Sequence, residues 1–344
     1  MLFIGVLLVL ILAAGGWYVF NSSYGAPSGP PKKIGIIVPI PIIDAYKDGF
    51  IEGMKDLGYV EGKDVVFDVQ EAGGDPQKIA QAVADITSAN DIDLIFALTD
   101  SAGRSKIALD QLGKQTPVIF VGVEEPVAAK LVADYKSSEN NFTGIVGGLS
   151  IVTGKKLEFL QKLMPAAKKL GVFSADIVSR QPGPPVYASV IKDAPALGFE
   201  IVPIDRINPG SPITLDETQR MADSIQSGSV DAIFHIPGHT LEEQEFIEPK
   251  ASIRLKVPDI GGIPIEVHRG ALYSYSPDFF DVGKQASIMA DKILKGTAPK
   301  DIPVEQPRKY LLAFNLETAR TIGVTIPSDL EAITDIRYED TLAQ

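Results

Sequence analysis

KIGIIVPIPIIDAYKDGFIEGMKDLG, residues 33–58, decides how the chain is read. Its opening, Ile34-Gly35-Ile36-Ile37-Val38, is a short unbroken apolar run, the pattern of a strand covered on both faces in a parallel sheet. An Ile/Pro-rich loop follows, and then Asp44 can cap a helix. Tyr46, Phe50, Met54 and Leu57 recur there at three- and four-residue spacing, and Gly58 supplies the stop. Strand, loop and amphipathic helix in that order make one βα unit. The unit then repeats. Val65–Val69 reads as the next strand, and Asp75 opens a helix with Ile79, Val83 and Ile86 on one face. Leu94–Leu98 and Val118–Val121 are further strands around an intervening helix, so a parallel sheet covered on both faces is expected.

A second series begins after Gly147-Gly148. Thr153 caps a helix carrying Leu157, Leu160 and Met164, and Gly171–Phe173 is a strand. Another helix ends near Leu197-Gly198, Ile201–Ile204 follows as a strand, and a helix at 216–227 leads into a strand at Ala232–Ile236. Residues 261–272, GGIPIEVHRGAL, follow a strand-like run and read as a loop with Ile263-Pro264-Ile265 at its centre. Beyond them only one long helix, Val282–Leu294 closed by Gly296, and a strand at Tyr310–Phe314 stand out. Those pieces are too few for a third domain, so they are expected to return and complete two α/β lobes.

Composition agrees with two packed lobes. The chain has 344 residues, 45% hydrophobic and 22% charged, enough for two cores. A formal net charge of −12 argues against nucleic acid or an anionic membrane surface as the main partner. With no cysteine, disulfides, thiolate metal sites, a cysteine nucleophile and a lipidated cysteine anchor are all excluded. At the amino terminus, residues 2–20 (LFIGVLLVLILAAGGWYVF) form an uncharged apolar stretch close to the roughly 20 residues that span a bilayer. Trp17 and Tyr18 sit at one end, as interfacial aromatics do. An uncleaved anchor in the inner membrane is favoured, with a cleaved signal as the alternative, because Tyr24-Gly25-Ala26 is not a clean cleavage site. Residues 21–32 are Gly/Ser/Pro-rich and read as a flexible linker, placing the domain on the periplasmic side.

Five stretches occur in order: DGFIEGMKDLGYVEGKDV (48–65), GGDPQKIAQAVADI (73–86), TPVIFVGVEEPVAAKLV (116–132), HRGALYSYSPDFFDVGKQASIMADKILKG (268–296) and LLAFNLETARTIGVTIP (311–327). Together they resemble the ABC-transporter substrate-binding proteins related to tryptophan- and tyrosine-type solute binders. The resemblance implies a bilobed periplasmic-binding fold of the first class, with three crossovers, an interlobe cleft and a membrane transporter component as partner. On that plan the N-terminal lobe takes residues 33–148 plus about 277–305, and the C-terminal lobe 149–272 plus about 307–340.

Ligands of open parallel sheets bind beyond the carboxyl ends of the strands. The candidate binding residues are therefore Pro39, Ile40, Pro41, Ile42, Thr99, Asp100, Ser101, Glu124, Glu125, Tyr187, His239, Ile263 and Ile265. The resemblance implies Asp or Asn in the loop after the strand at Ala232–Ile236 and an acidic pair in the loop at 261–272, to hold a ligand ammonium. This chain has Gly238-His239 and Ile263-Pro264 there. Pro39–Ile43 and Ile263–Ile265 could instead wall a dry cleft, where an apolar ligand gains about 25 cal/mol per Å² buried. Alternatively those isoleucines fill the lobe cores. Glu124 and Glu125 either accept from a ligand hydroxyl or are solvated, and Tyr187 either walls the cleft or packs on the surface.

The expectation is a mostly hydrophobic solute, such as a sterol, another lipid or a hydrophobic aromatic. An aromatic amino acid or similar polar solute is the alternative, and an extracytoplasmic sensing domain the second. His235 and His239 have a helical metal-pair spacing, but Pro237-Gly238 between them forbids the helix, so no metal is expected. No G-x-S-x-G, P-loop, G-x-G-x-x-G after a strand or H-E-x-x-H occurs, so neither an enzyme nor a cofactor is expected.

Overall fold

The computed structural model describes residues 30–173, 185–204, 214–236 and 246–342. The apolar segment 2–20, residues 21–29 of the linker, 174–184 and the loop 237–240 with His239 lie outside the described residues. Among those described, no helix is long and apolar enough to cross a membrane.

The first sheet takes β1 (Lys32–Val38), α1 (Asp44–Asp56), β2 (Val65–Glu71), α2 (Pro76–Ser88), β3 (Leu94–Leu98), α3 (Asp100–Leu112), β4 (Val118–Val123) and β5 (Phe142–Val146). All five strands are parallel, in the order β2-β1-β3-β4-β5. The chain then builds α4 (Thr153–Leu163), β6 (Lys169–Phe173), α5 (Pro185–Ala196), β7 (Glu200–Ile204), α6 (Leu215–Ser224) and β8 (Ala232–Phe234). Next come α7 (Ile247–Leu255), β9 (Asp259–Gly261), α8 (Pro264–His268) and β10 (Tyr273–Pro277). Finally α9 (Phe279–Leu294) is followed by β11 (Tyr310–Asn315), α10 (Leu316–Ile322), α11 (Ser328–Ala332) and β12 (Ile336–Tyr338). The second sheet runs β12-β11-β10-β9-β8-β6-β7, parallel except for the β10–β11 pair.

Both sheets are covered on both faces, which is why their strands read as continuous apolar runs. In β1, Ile34, Ile36 and Val38 enter one core while Ile37 enters another; in β3, Leu94, Phe96 and Leu98 alternate likewise with Ile95 and Ala97. Ala82, Val83 and Ile86 of α2 close one face. The other is closed by α1 and by α9, whose Val282, Ala286, Met289 and Ile293 join the Phe50–Met54 core. The chain thus leaves β10 of the second sheet, packs α9 on the first, and returns to β11. With the passage from β5 to α4, that makes three crossings and two lobes. The fold is the bilobed α/β architecture expected from the sequence.

Close approach of α1 to α9 depends on glycine. A Cβ on Gly49 would stand 2.0 Å from the Phe280 carbonyl oxygen, and one on Gly283 2.2 Å from that of Tyr46. Asp75 caps α2 as expected, accepting from the Gln77 and Lys78 amides at 2.8 and 3.4 Å. Such a cap contributes about 1 kcal/mol. Four local expectations are corrected. Asp44 and Thr153 are the first residues of their helices, and neither helix has a side-chain N-cap. The last strand of the second series stops at Phe234, because His235 turns into a buried polar cluster. Residues 261–272 are not a plain loop: Pro264 at the first position starts the five-residue α8.

Candidate ligand-binding site

The carboxyl ends of β1, β3 and β4 bring three candidate segments to one edge of the first sheet. After β1, Pro41–Ile43 forms a single 3₁₀ turn. Pro39 and Ile43 are buried, Pro41 is exposed, and Ile40 and Ile42 are half-buried against the first lobe's core. Much of this apolar surface is therefore spent inside the lobe.

After β3 the backbone turns sharply into α3. Thr99 takes φ 51° and ψ −124°, a conformation L side chains rarely adopt, and its side chain does not cap the helix. Its amide donates to the Val121 carbonyl at 2.8 Å, which anchors the turn to β4. Asp100 is exposed and accepts from Arg104 Nε at 3.0 Å. Ser101 is buried, its hydroxyl donating to the Leu98 carbonyl at 2.7 Å. A helix begins with amide groups that have no intrahelical acceptor, and its dipole favours an anion there. The α3 start lies at the sheet edge where ligands of this architecture bind.

Gly122, at φ +75°, faces this turn: a Cβ there would be 2.9 Å from Thr99 Cγ2 and 3.4 Å from Tyr46 Oη. Tyr46 is buried and stacked on half-buried Phe279, with centroids 4.3 Å apart and planes at 20°. Burial, then the nearby Glu124 charge, push the Tyr46 phenol well above its ordinary range, so it stays protonated. Glu124 accepts from the Leu149 and Ser150 amides at 3.0 Å each and from the Ser150 hydroxyl at 2.5 Å. Its oxygens are thus engaged at the first crossing. Glu125 is exposed. On the second lobe, Tyr187 is half-buried against the core, Ile263 is buried at the N-cap of α8, and Ile265 is half-buried.

Sequence reasoning missed a buried polar cluster under that second edge. Lys156, His235, Glu248, Asp259 and Glu266 are each less than 5% exposed. Lys156 Nζ donates to the Gly261 and Gly262 carbonyls at 2.9 and 3.2 Å, and Glu266 accepts from the Gly262 amide. His235 lies between two acids, Nδ1 3.0 Å from Glu248 Oε2 and Nε2 3.5 Å from Glu266 Oε1. Burial alone would lower the imidazole pKa, but the Glu248 and Glu266 charges outweigh it and raise it to about 10. Burial lowers Lys156 to about 8 despite Glu266. Burial, reinforced by Glu248, holds Asp259 well above the usual carboxylate range. These groups clamp the turn from β9 into α8. Only His235 and Glu266 stood near a candidate loop in the sequence, and nothing local tied them to residues 156, 248 or 259. No group of His, Cys, Asp and Glu able to hold a metal ion occurs among the described residues.

Two α/β lobes joined by three crossings are the architecture of solute-binding proteins of the periplasmic type. The chain belongs to the ABC transporter substrate binding protein family, which it matches over residues 33–335. It is 27% identical over 309 residues to a tyrosine-binding protein of Clostridioides difficile, covering 88% of this chain and 84% of that one. An ABC domain from Streptococcus pneumonia, solved in complex with L-Trp, superposes with TM-score 0.72 at 22% identity over 89% of this chain and 99% of that one. The ligand-free, open form of a substrate-binding protein with adhesive properties from Clostridium difficile superposes with TM-score 0.68 at 25% identity, over 90% and 100%. The family consists of solute-binding proteins rather than enzymes, acting outside the cytoplasm with an ABC transporter. These relatives back the aromatic amino acid alternative better than the sterol or lipid reading.

Proposed function

We propose that this protein captures an aromatic amino acid, or a polar aromatic solute of similar size, and hands it to an ABC importer. The observation that carries this reading is the start of α3. Thr99 holds the first turn at the strand edge without capping it, leaving amide donors and the positive end of a 13-residue helix for a ligand carboxylate. A sterol hydroxyl could accept one such hydrogen bond, but it carries no negative charge for the helix dipole to favour. The identity of the tyrosine-binding relative, and the L-Trp bound to the structural neighbour, support the aromatic side chain. The packing of Ile40, Ile42, Ile43 and Ile263, whose surface goes largely to the lobe interiors, argues against a dry apolar wall for a sterol.

On this reading the ligand sits between a lobe of residues 33–148 with about 277–305 and a lobe of 149–272 with about 307–340. Thr99, Asp100 and Ser101 face it from the first lobe, and the turn at Ile263–Ile265, with Tyr187, from the second. Residues 2–20 serve export or anchoring. Native mass spectrometry after exposure to an equimolar amino acid mixture and a lipid extract tests the proposal. A mass increment of tyrosine, tryptophan or phenylalanine is expected; an exclusive lipid adduct would overturn it.

A further inference from the structure

The three crossings meet at a glycine. Gly148 adopts φ +80°, and a Cβ there would stand 2.9 Å from Pro307 Cγ and 3.0 Å from Pro277 Cγ. Each proline belongs to one of the other two crossings, so the strands of the hinge touch where a side chain has neither room nor a relaxed backbone. Each crossing is also gripped from the first lobe. Tyr46 stacks on Phe279 beyond the second. Gln285 Nε2 donates to Glu305 Oε2 at 2.5 Å and to the Gln306 carbonyl at 3.0 Å in the third. The first is held by Glu124, one residue past β4.

The Glu124 grip has three donors on one carboxylate: the Leu149 amide, the Ser150 amide and the Ser150 hydroxyl. Gly147 lies against it, since a Cβ would be 2.1 Å from Oε1, and the Gly147 amide donates to the Val123 carbonyl at 3.0 Å. Residues 147–150 are thereby bonded to the first lobe. Leu149 and Ser150 are held from the second lobe as well: the Thr153 hydroxyl donates to the Leu149 carbonyl and the Thr153 amide to the Ser150 carbonyl, both at 3.4 Å as α4 begins, and Leu149 packs against the core of that lobe.

We propose that Glu124 is a positioning residue of the hinge. It ties Leu149 and Ser150, which already belong to the start of the second lobe, directly to the first, so the ligand-free protein samples a narrow range of interlobe angles. An amide in its place has one acceptor oxygen for three donors, and its NH₂ opposes another N–H. With the grip lost, this tie between the lobes at the first crossing is broken and the range of angles widens.

Because the chain has no cysteine, Leu112→Cys and Ile333→Cys provide the only two thiols for spin labels. One lies at the end of α3 and the other just past α11, and the parent residues are 50% and 54% exposed. Pulsed electron paramagnetic resonance on the ligand-free full chain should give one narrow distance distribution in the parent pair. Adding Glu124→Gln should give a distribution about twofold wider, as expected when more of the ensemble opens. An unchanged distribution, with only a lower melting temperature, would overturn the proposal. If Glu124→Gln fails to fold, Glu124→Asp carries the same test with the same two outcomes, since the shortened acid cannot span both amides. The measurement uses no ligand, so it stands apart from whether aromatic amino acids bind.

Discussion

Replacing Thr99 by glycine should make the protein more stable and a worse binder. Thr99 holds φ 51° and ψ −124° without being glycine, and a residue kept in such a region stores about 1–3 kcal/mol. Glycine removes that strain but loses about 0.5–1 kcal/mol through the greater freedom of the unfolded chain. The net gain is about 0.5–2 kcal/mol, or about 1–8 °C in melting temperature for a lobe of this size. The hydroxyl beside the α3 start goes too, and the turn that aims the first amides loosens. A hydrogen bond to a charged ligand group contributes about 1.5–3 kcal/mol, so affinity should fall about tenfold or more. Thr99→Ala separates the two effects, because it keeps the strain and lacks the hydroxyl; it should bind weakly without gaining stability. Scanning calorimetry and titration of the bound amino acid read both quantities. A lower melting temperature in Thr99→Gly, or unchanged affinity, would refute the reasoning.

Stability should decline between pH 6.5 and 8. His235 has an ordinary value of 6.5 when unfolded and about 10 when folded, so its contribution is complete below 6.5 and lost as pH rises through 10. Asp259, held protonated by burial, acts in the same direction. Lys156, lowered from 10.5 to about 8, opposes them only above pH 8. Urea unfolding at the two pH values should differ by about 1–2 kcal/mol, and His235→Gln should flatten the slope; a wild-type stability that rises with pH would contradict this. Gly283→Ala forces backbone apart at Tyr46 and should lower the unfolding free energy by about 1–3 kcal/mol, so an unchanged urea midpoint would count against the α1–α9 packing. Lys156→Met leaves two buried carbonyls without their donor and should cost about 2–4 kcal/mol; a melting temperature equal to wild type would show that the clamp contributes nothing.

Strands such as Ile34–Val38 and Leu94–Leu98 were legible because burial on both faces writes an uninterrupted apolar run. Asp75 followed by Pro76 was legible because a helix start needs a side-chain acceptor and tolerates proline at its first position. The same proline signal stood in Ile263-Pro264, yet five helical residues are too few for a hydrophobic period to emerge. β5 was harder still: Phe142-Thr143-Gly144-Ile145-Val146 mixes a glycine into an edge strand whose fit depends on its neighbour, since a Cβ on Gly144 would be 2.0 Å from the Phe120 carbonyl oxygen. In the site, Thr99–Ser101 could be placed by the strand-end rule alone. That Glu124 spends its oxygens on Leu149 and Ser150, or that residues 156, 235, 248, 259 and 266 share one interior, depends on contacts between elements far apart in the chain.

Isothermal titration of the purified protein with L-tyrosine, L-tryptophan and tyramine tests the central claim most directly. Tyramine keeps the phenol and the amine of tyrosine and lacks only the carboxylate assigned to the α3 start. The account predicts saturable one-to-one binding of at least one of the two amino acids, with a Kd of about 1 μM or tighter, and tyramine at least about tenfold weaker. No binding of either amino acid together with saturable binding of a sterol, or tyramine bound as tightly as tyrosine, would contradict it.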